Sequence, residues 1–301
     1  MSEIMPFKAS FETRDLSRVV KTDDAWFRPV DIKAGPDGSI YVADLYEQRI
    51  DHSSHYAGRI DRTNGRVYRL TSKAGLKQPS VNYTKATEAE LIAALDSLNK
   101  WQRQAALVVI GDRKSASMIP KLRDRLKTLT GQAALESLWA LHLSGGLTDE
   151  VAELLLKHED QFVRAWTVRL LCDDYSVEPQ IARALAEGAG HESYLSVRGQ
   201  LASSAKRLPA KDALPIIRNL LKYDEDATDI FQPLLIWWAI EAKATGEGRD
   251  LILSAVLNDK DVWNRPLVKE HLTERLMKRY AISGTREELM AAAKLLKQAP
   301  N

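Results

Sequence analysis

The sequence predicts a mainly helical fold, an α-α superhelix (solenoid) over residues 81–301, preceded by a small antiparallel β unit over residues 1–80. Three observations carry this. The hydrophobic pattern changes from β to helical near residue 80. The helix starts after that point recur at a near-constant interval. Before it, strong turn signals separate short β-branched and aromatic runs.

Composition permits such a chain and narrows what it does. With 301 residues it makes one large domain or two smaller ones. The 45% hydrophobic and 28% charged content is enough for a core and excludes chain-wide disorder. Forty-three basic against 41 acidic residues leave a net charge of +2 and no basic run, which disfavours a dedicated nucleic-acid binder. No stretch approaches the roughly 18 consecutive apolar residues of a membrane span. The single cysteine, Cys172, excludes an internal disulfide and an all-cysteine metal centre. Met1–Ser10 lacks the basic start and apolar run of an export signal.

The β elements come first. Phe27-Arg28-Pro29-Val30-Asp31-Ile32 and Ser39-Ile40-Tyr41-Val42-Ala43-Asp44 flank Gly35-Pro36-Asp37-Gly38, a hairpin turn signal. Asn64-Gly65 marks a second turn, and Val67-Tyr68-Arg69-Leu70 reads as the next strand. Leu45–Thr63 has no periodicity, the mark of a functional or disordered loop. An isolated blade exposes strand edges, so this unit should pack on the first helices or on a partner.

Thr87 and Glu90, three apart, form a capping box ahead of a Leu91, Leu95, Leu98 stripe. Breakers at Gly111-Asp112, Gly145-Gly146, Asp173-Asp174, Gly188–Gly190, Pro209, Tyr223–Asp226, Gly246–Gly248 and Ser283-Gly284 divide the rest into segments one or two helices long. Aligning Arg103, Gln132, Arg164, Arg198, Pro233 and Pro266 gives steps of 29, 32, 34, 35 and 33 residues. A two-helix unit of this size, repeated about six times, is the signature of a solenoid. A last helix over Thr285–Lys297 is left without a partner, with Leu289, Met290, Leu295 and Leu296 making it amphipathic.

The chemistry-bearing residues have bland readings as well as sharp ones. His52 and His55, with Asp51 and Tyr56 beside them, could bind a metal, but no third distant ligand is evident and a solvated loop explains them. Asp37, Asp44 and Asp51 do not match EF-hand spacing, and the turn itself accounts for Asp37. Arg103, Arg164, Arg198 and Arg265 are expected to pair with acids of neighbouring repeats rather than line a basic face. Trp101, Trp139, Trp166, Trp237, Trp238 and Trp263 all fall on helices, where aromatics usually build core; adjacent Trp237 and Trp238 point apart, so one should reach an edge or interface. Cys172 reads as buried and inert. No phosphate loop, nucleophile elbow or Cys-x-x-Cys-His motif is present.

The aromatic-x-Arg-x-x-Ala helix starts, as in Phe162-Val163-Arg164-Ala165-Trp166, resemble the second helix of a HEAT repeat, although the unit is shorter than the roughly 40–47 residues of typical HEAT and armadillo units. The tetratricopeptide Trp-Leu-Gly-Tyr pattern is absent. The ordered set Trp26–Ile32, Gly35–Tyr46, Arg49-Ile50-Asp51-His52 and Gly65–Arg69 resembles the closing blade of membrane-bound-dehydrogenase-like β-propellers in planctomycete-type (PVC-type) large secreted proteins, related to glucose/sorbosone dehydrogenases. Pro233–Glu241 is similar to the HEAT region that follows the propeller there.

The resemblance implies a propeller, then HEAT repeats, then often a c-type cytochrome, in a periplasmic or extracellular setting. It implies pyrroloquinoline quinone, Ca²⁺ and c-type haem for the parent family, with no cofactor in this chain. The chain is expected to begin inside the propeller, leaving about one blade where roughly 4–8 are needed. Arg28, Asp44, Tyr46, Arg49 and His52 are the loop residues that would face a site in a full-length parent. The function expected from these readings is a non-catalytic interaction scaffold that uses the concave solenoid face, its partner another protein or the propeller and cytochrome domains. The alternative is an accessory part of a quinone- or haem-linked sugar or alcohol oxidoreductase. A nucleic-acid-binding solenoid is a third reading, which the balanced charge opposes.

Overall fold

The computed structural model describes residues 2–300 except 9, 19, 49, 50, 52, 54, 55, 58–62 and 74–80. Its contacts divide the chain into two compact units. One comprises Met1–Glu3, Asp15–Lys127 and Trp139–Gly145; the other comprises Ile4–Arg14, Thr128–Leu138 and Gly146–Asn301.

Strands β1 (Ser2–Phe7) and β2 (Ser10–Asp15) form a two-stranded sheet that the sequence reading did not single out. Strands β3 (Pro29–Ala34), β4 (Ile40–Asp44) and β5 (Arg66–Leu70) form an antiparallel sheet in chain order. Ile32 faces Val42 and Val42 faces Tyr68 across it. The β3–β4 turn is built as its sequence predicts. Gly38 takes the left-handed φ of +79° that favours glycine, and Asp37 accepts from Ser39 N (3.0 Å) and Ser39 Oγ (2.8 Å). Arg69 of β5 reaches back to Asp37 and to Ser39 Oγ.

The two Ser39 hydrogen bonds, and after them Arg69, hold the Asp37 carboxyl at about 2, below its ordinary 3.8. A depressed carboxylate gives support that is complete above the ordinary value and is lost as pH falls through the folded one. The turn should therefore persist at pH 3 and loosen near pH 2. Amide shifts of Gly38 and Ser39 followed by NMR check this; a transition centred near 3.8 refutes it.

The first helices lie in the same unit as this sheet. The capping box at Thr87 forms: Thr87 Oγ1 accepts from Glu90 N (3.3 Å) and Glu90 Oε2 from Thr87 N (2.7 Å), starting α1 (Glu88–Ala94). Asn99 caps α2 (Lys100–Arg113) through Trp101 N and also donates to Gly35 O at 2.9 Å, tying the β3–β4 turn to a helix start. Gly111, expected to break this helix, lies inside it, where Leu143 packs close enough to meet a Cβ at 3.5 Å. Helix α3 (Ile119–Leu126) is held to the α1 end by Arg125 on Asp96. Helix α4 (Gly131–Leu143) is shared between the two units.

The second unit continues the alternation. Helices α5 (Asp149–Leu155), α7 (Pro179–Ala189) and α9 (Ala210–Leu220) pack side by side, followed by α11 (Gly246–Leu251), which runs into a π-helical turn at Ile252–Val256. Helices α6 (Gln161–Leu171), α8 (Leu195–Ala205) and α10 (Gln232–Glu241) form a second layer in the same order. One apolar core lies between the layers, from Ala152 and Val168 through Leu185, Leu201, Ile217 and Ile240 to Leu276 and Leu295. This is the stacked helix-pair, solenoid-like arrangement that the repeat spacing predicts.

The C-terminal end departs from expectation. After α12 (Lys260–Trp263) and a π-helical segment at Leu267–Leu272, α13 (Thr273–Ser283) and α14 (Arg286–Gln298) pack on each other, so the last helix has a partner. Its buried face is Glu288, Ala291, Ala292 and Leu295, whereas Leu289, Met290 and Leu296 point outward. No helix among the described residues is long and apolar enough to cross a membrane.

Candidate functional site

Arg28, Asp44 and Tyr46 come together at the end of β4, while Arg49, His52 and His55 lie outside the described residues. Asp44 is buried, and its Oδ1 accepts from Arg28 N (2.7 Å) and Tyr46 N (3.0 Å). Tyr46 holds a left-handed φ of +57° and stacks between Trp26, with ring centroids 5.7 Å apart, and the Arg66 guanidinium, 4.0 Å from its ring centre. Arg28 itself donates to Gln48 O. These contacts fasten the loop to the sheet. Asp44 Oδ2 is buried without a hydrogen-bond partner among the described residues, one oxygen where Ca²⁺ takes 6–8. Among the described residues no three His, Cys, Asp or Glu side chains could share a metal. The three residues therefore do not supply the oxygen set of a Ca²⁺ centre by themselves.

The repeat arginines are structural clamps. Arg164 donates through Nη1 to His158 O (2.7 Å) and Glu159 O (3.0 Å), closing the loop before its own helix, and forks onto Glu192, 28 residues on. Arg198 repeats the arrangement one pair later, donating to Glu192 O and Ser193 O (both 3.0 Å) and forking onto Asp226, again 28 residues on. Glu192 thus links two clamps and also accepts from Tyr194 N at 2.9 Å. Arg103 closes its own loop on Ser97 O and Leu98 O, and Arg265 reaches Lys222 O and Asp224. The acids were not identified from sequence; Glu192 and Asp226 each stand 28 residues after their arginine, whereas Asp224 stands 41 before Arg265.

Cys172 is fully buried, and burial pushes its thiol up to about 12, which removes it as a nucleophile. Of the tryptophans, Trp263 is core, with its Nε1 donating to Leu257 O at 3.0 Å. Trp101 is exposed, a correction to its expected core placement, and Trp238 is exposed as expected of one of the adjacent pair. Trp237 is packed against the core, so the adjacent pair divides as helical geometry requires.

Trp238 belongs to a larger face. On α6, Phe162, Trp166 and Arg169 follow one another at helical spacing; on α10 and its cap, Phe231, Leu234 and Trp238 do the same. Between them α8 carries Ser196, Gln200 and Ser203 at the same helical spacing. Phe162, Phe231, Leu234 and Trp238 are 36–44% exposed. By helical spacing, the larger side chains of α6 and α10 flank the smaller Ser196 and Ser203 of α8, an order that would leave a shallow trough on the outer face of the second-helix layer. Arg169 sits 4.9 Å from the Trp166 ring centre and Lys206 5.9 Å from that of Trp238. Each tryptophan is legible singly along the chain; the trough depends on which helices lie side by side.

Two cavities open beside the first-helix layer, the first of them lined by both layers. One of about 430 Å³ lies beside the Arg164–Glu192 clamp, with Glu153 and Glu187 offsetting Lys157 and Arg183 on its rim. The other, of about 550 Å³, is bordered by Lys211, Arg218, Lys222 and Glu247. Neither brings together groups arranged as acid, base and nucleophile.

Comparison with known families bears on the other end of the chain. Residues 5–74 match the model of a domain of unknown function, DUF7133. No curated protein and no solved structure matches the chain. The DUF7133 match takes in β2–β5 with Arg28, Asp44 and Tyr46, and the helix pairs lie beyond it.

Proposed function

We propose that this chain is a non-catalytic, protein-binding scaffold of HEAT-like repeats whose working surface is the trough on the second-helix layer. The observation that supports this most is the trough itself. Phe162, Phe231 and Trp238, left more than a third exposed on α6 and α10 on either side of α8, are of the residue types that dominate binding energy at protein interfaces. Exposed apolar groups scattered singly need no explanation, whereas an aligned set does.

The test is a photo-cross-linking amino acid at position 200, on the central helix, in the protein as produced by its source. Cross-linked partners are identified and purified, and their affinity is measured against Trp238→Ser and Phe162→Ser. A loss of roughly thirtyfold for Trp238→Ser, the 2 kcal/mol of an interface hot spot, is expected. Unchanged affinity for both variants overturns the reading, as does enzyme-like turnover of a sugar with an added electron acceptor.

A second reading keeps the resemblance to PVC-type dehydrogenase-like proteins and makes the chain an accessory arm of a secreted quinone- or haem-linked oxidoreductase. It is favoured by Val30, Ile32 and Val67, exposed on the edge strands β3 and β5, as strands that expect neighbours would be. Under this reading the partner is a propeller or cytochrome domain, and cross-links would map to it.

A further inference from the structure

We infer that the trough takes an acidic peptide segment, with an apolar side chain lying on Trp238 and carboxylates meeting Arg169, Lys206 and Lys243. This deepens the scaffold reading and rests on it.

The inference comes from charges left uncompensated. The neighbouring arginines are matched: Arg164 with Glu192, Arg198 with Asp226, Arg207 with Asp173, Arg265 with Asp224. Arg169, Lys206 and Lys243 form no ion pair among the described residues. Each instead lies against an aromatic ring or a backbone carbonyl: Arg169 on Trp166, Lys206 on Trp238, and Lys243 donating to Lys206 O at 2.7 Å. Lys243 is brought close to Lys206, a like charge. Burial, and after it the charge of Lys206, lowers the Lys243 ammonium below its ordinary value. An added carboxylate relieves that repulsion.

All three cations follow or end second-layer helices, so helix-dipole complementation accounts for their sign. It does not account for aromatic rings beside two of them. Cation and exposed Trp together form a surface that receives a carboxylate and an apolar group at once. A nucleic acid would also bring negative charge and rings, but the net charge of +2 gives it little long-range attraction.

The test selects binders from a displayed library of random 12-residue peptides against the immobilised full chain. The expected result is enrichment of sequences that combine Asp or Glu with aromatic or aliphatic residues. Their binding should fall about tenfold in Lys206→Glu and in Trp238→Ala and stay unchanged in Arg183→Glu, on the first-helix layer. Enriched peptides that are neutral or basic but still require Trp238 overturn the acidic partner and leave the scaffold reading intact. Peptides indifferent to both trough variants, or no enrichment, overturn both. Tighter binding of a 12-nucleotide single-stranded DNA than of any selected peptide also overturns the inference.

Discussion

Replacing Arg198 by alanine is expected to cost the fold about 3–5 kcal/mol, measured by urea unfolding followed through tryptophan fluorescence. The Arg198 and Asp226 side chains are 5% and 1% exposed. The guanidinium donates to both Asp226 oxygens and to two backbone carbonyls, and it lies 4.2 Å from the centre of the Tyr223 ring. Its removal leaves a carboxylate out of water without its counter-ion and two carbonyls without their donor. That orphaning, rather than any intrinsic strength of the pair, is the source of the loss. Two comparisons separate the causes. Arg265→Ala, with a side chain 37% exposed beside Asp224, should lose no more than about 1 kcal/mol. The double variant Arg198→Met with Asp226→Leu removes both charges and should recover most of the loss. An Arg198→Ala protein within about 1 kcal/mol of the parent would refute the clamp.

Tyr280 divides into two opposite outcomes. It is fully buried on α13, and its hydroxyl has no hydrogen-bond partner among the described residues. Tyr280→Ala empties the site of a ring and should cost about 3–5 kcal/mol. Tyr280→Phe keeps the ring and removes an unsatisfied polar atom, so it should be neutral or stabilising by about 1 kcal/mol. Burial pushes the hydroxyl up to about 12, above its ordinary 10. A raised acid pKa means that the folded state holds the proton where the unfolded state releases it. Stability from this group is therefore intact below pH 10 and is lost as pH rises from 10 towards 12. Tyr280→Phe should lack that alkaline loss. A destabilised Phe variant would mean that the hydroxyl has a partner worth keeping.

Legibility in the sequence followed the range of the interaction. The Asp37-Gly38 turn, the Thr87–Glu90 box and the repeat period are local, and each formed where its residues stand. The pairing of Arg164 and Arg198 with neighbouring acids was readable because interior charges must be matched. Failures came where a tertiary neighbour decided. Gly111 lies inside α2 with Leu143 beside it, and α14, packed on α13, buries Ala291, Ala292 and Leu295 while Leu289 and Leu296 stay exposed. The π-helical turns at Ile252–Val256 and Leu267–Leu272 carry no local signal. The trough was hidden for the same reason. Phe162 and Trp238 are 76 positions apart in the chain, and only the order α6, α8, α10 makes them walls of one feature.

The doubled role of Glu192 constrains how this chain can change in length. Its side chain receives Arg164 from the preceding pair while its backbone receives Arg198 from its own. A residue added between 192 and 198 would pull the carbonyl off one arginine; one added between 164 and 192 would shift the carboxylate from the other. The connections that enter the second-layer helices are thus fixed in length, link after link. The turns at the opposite helix ends, such as Asp173–Glu178 and Lys206–Pro209, carry no comparable relay, though Arg207 does meet Asp173 on the surface. Insertions and deletions among relatives should therefore gather at those turns, and grafted loops or tags should be tolerated there first.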